Sequence, residues 1–170
     1  MASRTESVNV ADGAFDLPVW LPPGGRAPGV LVIQEIYGVG PYIRSVAEHL
    51  ATLGYVAAAP DLFWRLQRNW EAQHDEEGLR QSLDLSSHFD VAQGVVDAAA
   101  ALDHVSGLPE VFGGVGVMGF CLGGSLAYLL AAQATPAVVV SFYGSSVPDN
   151  LDLLDQISCP LQFHFGGSDP

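Results

Sequence analysis

The sequence contains no lysine, and its six basic residues are all arginine. Against 19 acidic residues, this gives a formal net charge of −13 at pH 7. A surface of that sign repels phosphate backbones and anionic membrane surfaces. The charge balance therefore predicts that neither a nucleic acid nor a membrane is a partner of this protein.

Cysteine is scarce, since Cys121 and Cys159 are the only two and no C-x-x-C pair occurs. This pattern argues against a disulfide framework and against a zinc site. The first 13 residues also lack the apolar core of a secretory signal peptide. We therefore expect a cytoplasmic protein.

Charged residues are absent between Glu110 and Asp149. Glycines and Pro136 interrupt this long apolar stretch repeatedly, so we do not interpret it as a membrane span. It is typical of buried strands in a parallel sheet, with a helix between them.

Strand-like and helix-like patterns alternate along the chain. Strands are predicted at residues 7–10, 14–21, 29–35, 55–59, 115–118, 137–142 and 161–165, and helices at 42–53, 89–105 and 125–132. The polar residues 62–87 form an excursion with some helix. This order predicts an α/β fold in which helices cover both faces of a mostly parallel sheet, as one domain over residues 1–170.

The motif Gly119-Phe120-Cys121-Leu122-Gly123 lies between a predicted strand and a predicted helix. It matches the G-x-S-x-G nucleophile elbow, with Cys121 in the place of serine. Glycine is expected two positions before and after the nucleophile, because the chain approaches itself closely there. The helix N-terminus after Cys121 is expected to favour a thiolate.

In hydrolases with such an elbow the nucleophile is followed along the chain by an acid and then by a histidine. Asp169, just past a predicted strand, is placed to be the acid, and no histidine follows it before Pro170. The five histidines that are present, His49, His74, His88, His104 and His164, occupy positions that suit a base poorly. We therefore expect the domain to lack its C-terminal strand and helix, and the 170 residues to be part of a longer protein.

Five segments together closely resemble the dienelactone hydrolase (carboxymethylenebutenolidase) family, a branch of the α/β-hydrolases with a cysteine nucleophile. They are Gln34-Glu35-Ile36-Tyr37-Gly38, Pro60-Asp61-Leu62, Gly119 to Gly124, Phe142-Tyr143-Gly144 and His164 to Asp169. The resemblance implies hydrolysis of an ester or lactone, such as conversion of 4-carboxymethylenebut-2-en-4-olide to maleylacetate in aromatic degradation. It implies a small-molecule substrate, no metal or organic cofactor, and a monomer or weak homo-oligomer.

The resemblance also implies roles for individual residues. Cys121 would be the nucleophile, Asp169 the acid of the triad, and Glu35 the group that takes the thiol proton. The backbone N–H groups of Leu122 and Ile36 would form the oxyanion hole.

Three further residues would contact the substrate. Tyr37 and Tyr143 match aromatic positions that line the family's pocket. Arg80 is the nearest match to an arginine that binds the substrate carboxylate, although the register is uncertain by one residue. Leu83 and Ser86 stand where aromatic residues are expected, so ester or lactone hydrolysis is better supported than dienelactone hydrolysis in particular.

Two alternatives stay open from the sequence. A general carboxylesterase or thioesterase would use the same nucleophile on other substrates. A non-catalytic binding protein on the same fold would account for the missing histidine.

Overall fold

The structure, a computed structural model, describes residues 2–168. Its strands are β1 (Ala2–Val10), β2 (Gly13–Leu21), β3 (Ala27–Ile33), β4 (Val56–Ala58), β5 (Val111–Phe120), β6 (Val139–Phe142) and β7 (Leu161–His164). Its helices are α1 (Pro41–Thr52), α2 (Glu76–Ser87), α3 (Val91–Ser106) and α4 (Leu122–Ala131), and Pro148–Gln156 form a 3₁₀ helix.

The strands form one sheet in the order β1-β2-β4-β3-β5-β6-β7. The first two strands make an antiparallel hairpin, and β2 is antiparallel to β4. All the other neighbours, from β4 across to β7, are parallel. This confirms the predicted α/β class with a mostly parallel sheet.

Alternate residues of the central strands face opposite sides of the sheet. In β3, Leu31 and Ile33 pack in a cluster with residues of α3 and α4, whereas Val32 packs in a second cluster with residues of α1. Helices thus cover both faces, which is why β3 is uniformly apolar.

Several boundaries differ from the predicted ones. The third strand ends at Ile33 rather than at Glu35, so Gln34 and Glu35 belong to the turn that follows. The hairpin is longer than predicted, because it pairs from Ala2–Leu21 down to Val10–Gly13. Between the last two strands, for which no helix was predicted, Pro148–Gln156 form a 3₁₀ helix.

Within residues 2–168, no helix is both long enough and apolar enough to cross a membrane. The apolar stretch after Glu110 is divided among β5, α4 and β6, as the glycine pattern predicts.

The parallel arrangement determines where a site can form. Since β3, β5 and β6 are adjacent and parallel, their carboxyl ends meet at one edge of the sheet. The turn after β3 and the β5-to-α4 connection, both singled out from the sequence, therefore lie side by side. Such an edge is the usual location of ligand sites in open α/β sheets.

Candidate active site

Cys121 forms the turn between β5 and α4. Its backbone has φ 53° and ψ −116°, and this positive φ is uncommon for a residue other than glycine. Hydrogen bonds hold it on both sides, because its N–H donates to Phe142 O (3.0 Å) and its carbonyl accepts from Ser125 N (3.1 Å). This is the strained strand-to-helix turn of a nucleophile elbow.

The glycines around Cys121 allow backbone segments to touch. A Cβ at Gly119 would lie 1.9 Å from Gly123 O, and a Cβ at Gly123 would lie 2.3 Å from Ile33 O. A Cβ at Gly124 would lie 2.4 Å from Phe142 O. The start of α4 therefore packs directly on the ends of β3 and β6, with no room for a side chain.

These contacts bring the two proposed oxyanion-hole segments together. Leu122 is the first residue of α4, and its N–H hydrogen-bonds the Cys121 thiol. Ile36 lies in the turn after β3, which Gly38 N closes by donating to Glu35 O (3.2 Å). Because Gly123 also touches the end of β3, both segments lie beside Cys121.

Residues 70–74, which we call the strap, cover the turn after β3. The Trp70 indole N–H donates to Ile36 O (3.1 Å), and Ala72 N donates to Tyr37 O (3.2 Å). Gly38 forms an isolated bridge with Glu71, and a Cβ at Gly38 would lie only 1.8 Å from Trp70 O. The strap therefore lies directly on the turn that carries Ile36.

At the same end of β3, Gln34 joins this turn to the loop after β4. The Gln34 side chain is buried, and its Oε1 accepts from Leu62 N (3.1 Å). Asp61 beside it is also buried and accepts from Asn69 N (2.7 Å). Burial raises the pKa of Asp61, although this hydrogen bond and one from Phe63 N–H act against the rise.

The carboxylate of Glu35, expected to take the thiol proton, lies close enough to act on the charge of Cys121. Glu35 is only 9% exposed, and its Oε1 lies 2.7 Å from His74 Nε2. The His74 ring packs against Tyr37, with ring centroids 4.2 Å apart. His74 is therefore part of the site, which the sequence did not predict.

The pKa of the Cys121 thiol is raised, whereas the helix N-terminus alone was expected to favour a thiolate. Burial raises its pKa above the ordinary value, and the negative charge of Glu35 raises it further. The N–H of Leu122 at the start of α4 acts in the opposite direction but does not outweigh them. The resting residue is thus a thiol rather than the thiolate that the helix N-terminus alone would favour.

Aromatic rings surround the elbow. Phe120 stacks on Phe142 (centroids 4.9 Å apart), and Phe142 stacks on His164 (4.4 Å). The Tyr42 ring meets Phe120 edge-on at 5.4 Å. Tyr143 lies 6.4 Å from Phe120, with φ 42° and 38% of its surface exposed, so it flanks the elbow.

One predicted residue lies on an exposed helix, and another is not among the described residues. Arg80 is exposed on α2, and its guanidinium is bound to Glu77 at 2.6 and 2.9 Å. Asp169 falls outside the described residues. Over residues 2–168, no group of three or more His, Cys, Asp or Glu side chains has the arrangement of a metal site.

The mostly parallel sheet and the elbow that carries Cys121 define the chain as an α/β-hydrolase. The family model of the dienelactone hydrolase family matches residues 15–170. The chain belongs to the dienelactone hydrolase family.

Individual relatives agree. The chain is 36% identical over 158 residues to the carboxymethylenebutenolidase of Pseudomonas sp. strain P51, covering 92% of this chain and 66% of that protein. It is 34% identical to carboxymethylenebutenolidase 1 of Cupriavidus pinatubonensis, covering 99% of this chain and 73% of the relative. The crystal structure of a putative dienelactone hydrolase from Klebsiella pneumoniae is similar with TM-score 0.71 and 28% identity, covering 84% of this chain and 60% of that one.

We expect Gly123→Ala to lower the free energy of unfolding by about 1–3 kcal/mol, the usual cost of overpacking. The added methyl would meet Ile33 O and Gln34 O, which belong to the backbone and cannot rotate away. Urea unfolding followed by circular dichroism measures the change. The matched control is Gly24→Ala, because no atom lies within 4 Å of its Cβ position. A loss in the control as large as that in Gly123→Ala would contradict this account.

Glu35→Gln is expected to lower the pKa of the Cys121 thiol, because it removes the negative charge that raises it. At pH 7 the variant should therefore be alkylated by iodoacetamide faster than the parent. The measurement is the pH dependence of alkylation, made in a Cys159→Ser background so that only Cys121 reacts. An unchanged profile would show that Glu35 does not act on the thiol electrostatically.

Proposed function

We propose that this protein hydrolyses an ester or lactone bond through a thioester formed on Cys121. The observation that carries the proposal is the elbow geometry of Cys121, with the Glu35 carboxylate close enough to alter the thiol pKa. Membership of the dienelactone hydrolase family supports the same reaction class.

In the proposed acylation step, the Glu35 carboxylate accepts the proton of the Cys121 thiol after substrate has bound. The thiolate then attacks the carbonyl carbon, and the resulting oxyanion accepts hydrogen bonds from the N–H groups of Leu122 and Ile36. The C–O bond breaks, and the leaving oxygen takes up a proton. In a lactone this oxygen stays attached to the acyl group.

The second step returns the enzyme to its starting state. Water attacks the thioester carbonyl, the C–S bond breaks, and the acid and the thiol are released. We propose that Asp169 acts here as the acid that orients a histidine base.

The substrate itself is proposed more narrowly as a dienelactone, 4-carboxymethylenebut-2-en-4-olide. Tyr37 and Tyr143 would line its pocket on either side of the elbow. Arg80 would bind its carboxylate only after exchanging Glu77 for the substrate, because the two side chains form an ion pair.

The position of Arg80 favours one alternative, a general carboxylesterase. A substrate without a carboxylate needs no cation in the pocket, and Arg80 lies exposed on α2. Comparing kcat/KM for a dienelactone with that for the neutral p-nitrophenyl acetate distinguishes the two substrates. A preference for the neutral ester would favour the general esterase.

The remaining parts of the proposal concern the protein's surroundings. We propose a monomer or weak homo-oligomer in the cytoplasm, with no nucleic acid or membrane partner. Support comes from the acidic surface and from Cys121 and Cys159, which are both free thiols.

Cys121→Ala is expected to abolish acylation by p-nitrophenyl acetate, because the alanine has no nucleophile to form the thioester. The measurements are the release of p-nitrophenolate and, by mass spectrometry, the acetylation of residue 121. Cys159→Ala is the matched control and should acylate normally, since Cys159 precedes Pro160 away from the elbow. Full turnover in Cys121→Ala would disprove the nucleophile, whereas no acylation of the parent would favour a binding protein.

Glu35→Gln is expected to slow acylation roughly 100-fold, the low end of what general base catalysis supplies. The amide preserves the shape of the side chain but accepts a proton too weakly to act as the base. Glu35→Gln should therefore be acylated more slowly than the parent but alkylated by iodoacetamide faster than the parent. Parent acylation rates from pH 6 to 9 would exclude Glu35 as the base.

A further inference from the structure

His74 contacts the proposed base and is not needed for any step described so far. Its Nε2 lies 2.7 Å from Oε1 of Glu35, although the two residues are 39 positions apart in the chain. The side chain of Glu35 is 11% exposed and that of His74 is 52% exposed. The histidine therefore lies between the carboxylate and solvent.

We propose that His74 is a positioning residue for Glu35. Its Nε2–H donates a hydrogen bond that orients the carboxylate beside Cys121, where it can accept the thiol proton. This inference rests on the proposed function, in which Glu35 is the base.

The first argument is the cost of burying a charge. A carboxylate with so little exposure is stable in its ionised form only when a donor compensates for lost water. An ionised carboxylate can only accept hydrogen bonds, so the contact requires hydrogen on Nε2 of His74.

The second argument is that the backbone holds His74 in place. Trp70 and Ala72 of the strap hydrogen-bond the same turn that carries Glu35. Immediately after His74, Asp75 caps α2 by accepting from Gly78 N (2.7 Å). His74 is thus held from both sides, as preorganised support of a catalytic group requires.

The third argument concerns the ring itself. Tyr37 packs against one side of the imidazole at 4.2 Å, and Tyr42 meets it nearly perpendicular at 6.4 Å. These contacts restrict the ring's rotation and so define the direction of the Nε2–H bond. The ring is therefore oriented by packing as well as by the carboxylate.

Several other ionisable groups surround this pair. Tyr42 and Cys121 both feel the charge of Glu35, and in each the pKa is raised mainly by burial and secondarily by that charge. Tyr37 touches the His74 ring. On the strap, the carboxylate of Glu71 forms an ion pair with the guanidinium of Arg44 at 2.8 Å. The acidic groups Asp75 and Glu76 follow His74 in the chain.

The test compares His74→Leu, which removes the donor, with His74→Gln, whose amide N–H can replace it. We expect His74→Leu to slow acylation by p-nitrophenyl acetate roughly 10-fold near neutral pH, as expected for loss of one hydrogen bond to a charged group. The loss should appear in kcat, because the carboxylate is no longer oriented beside Cys121. KM should change little, and His74→Gln should recover most of the rate.

A double-mutant cycle with Glu35→Gln separates positioning from a purely structural role. In the Glu35→Gln background, His74→Leu should have no further effect on acylation. Additive losses, a loss confined to KM, or no rescue by His74→Gln would each overturn the proposal. A loss in His74→Leu that persists without Glu35 would identify His74 as a base in its own right.

The same data separate this inference from the proposed function. If Glu35→Gln acylates at the parent rate, the base assignment fails and the positioning role fails with it. If Glu35→Gln is slow and His74→Leu is not, only the positioning role fails. Thermal unfolding of each variant shows that a slow rate comes from a folded protein.

Discussion

Direct backbone contact at the start of α4 is the constraint on which the site depends. Gly119 and Gly123 have no side chains, so the first turn of α4 touches both β5 and the end of β3. Within this turn, Cys121 adopts the strained backbone conformation, with a positive φ. The same contacts place the N–H of Leu122 and the turn containing Ile36 on either side of the sulfur. A methyl group at Gly123 would disturb all of these positions at once.

The electrostatics of the site depend on the fact that Cys121 and Glu35 do not both carry a negative charge at rest. Cys121 and Glu35 are close together in a region with little water, where two negative charges would be costly. Glu35 has a partner in His74, whereas the thiol has only the N–H of Leu122. The proton therefore stays on sulfur at rest. A protonated thiol is also less prone to oxidation than a thiolate, so the arrangement protects the nucleophile.

Local features of the chain could be predicted from the sequence, and distant contacts could not. The Gly119-to-Gly123 motif and the alternation of strands and helices predicted the elbow and the sheet, because both depend on neighbouring residues. His74 was missed because the strap brings it to Glu35 through hydrogen bonds to the backbone, and no pattern of residue spacing in the sequence predicts these bonds. The helix N-terminus alone predicted a thiolate at Cys121, whereas the resemblance implied a thiol whose proton Glu35 takes. The raised pKa of Cys121 agrees with the second, because burial and the charge of Glu35 depend on the folded structure.

The difference between local features and distant contacts explains why the reaction class is easier to predict than the substrate. The groups proposed to carry out acyl transfer lie on turns at the ends of β3 and β5. Close backbone contacts there require glycine, and these glycines can be recognised in the sequence. Arg80, which is proposed to bind the substrate carboxylate, lies instead on α2, in the segment after β4. An ion pair with Glu77 holds it on the exposed face of that helix, and no glycine pattern marks such a contact. One such side chain can change the preferred substrate while the elbow, and therefore the chemistry, stays the same.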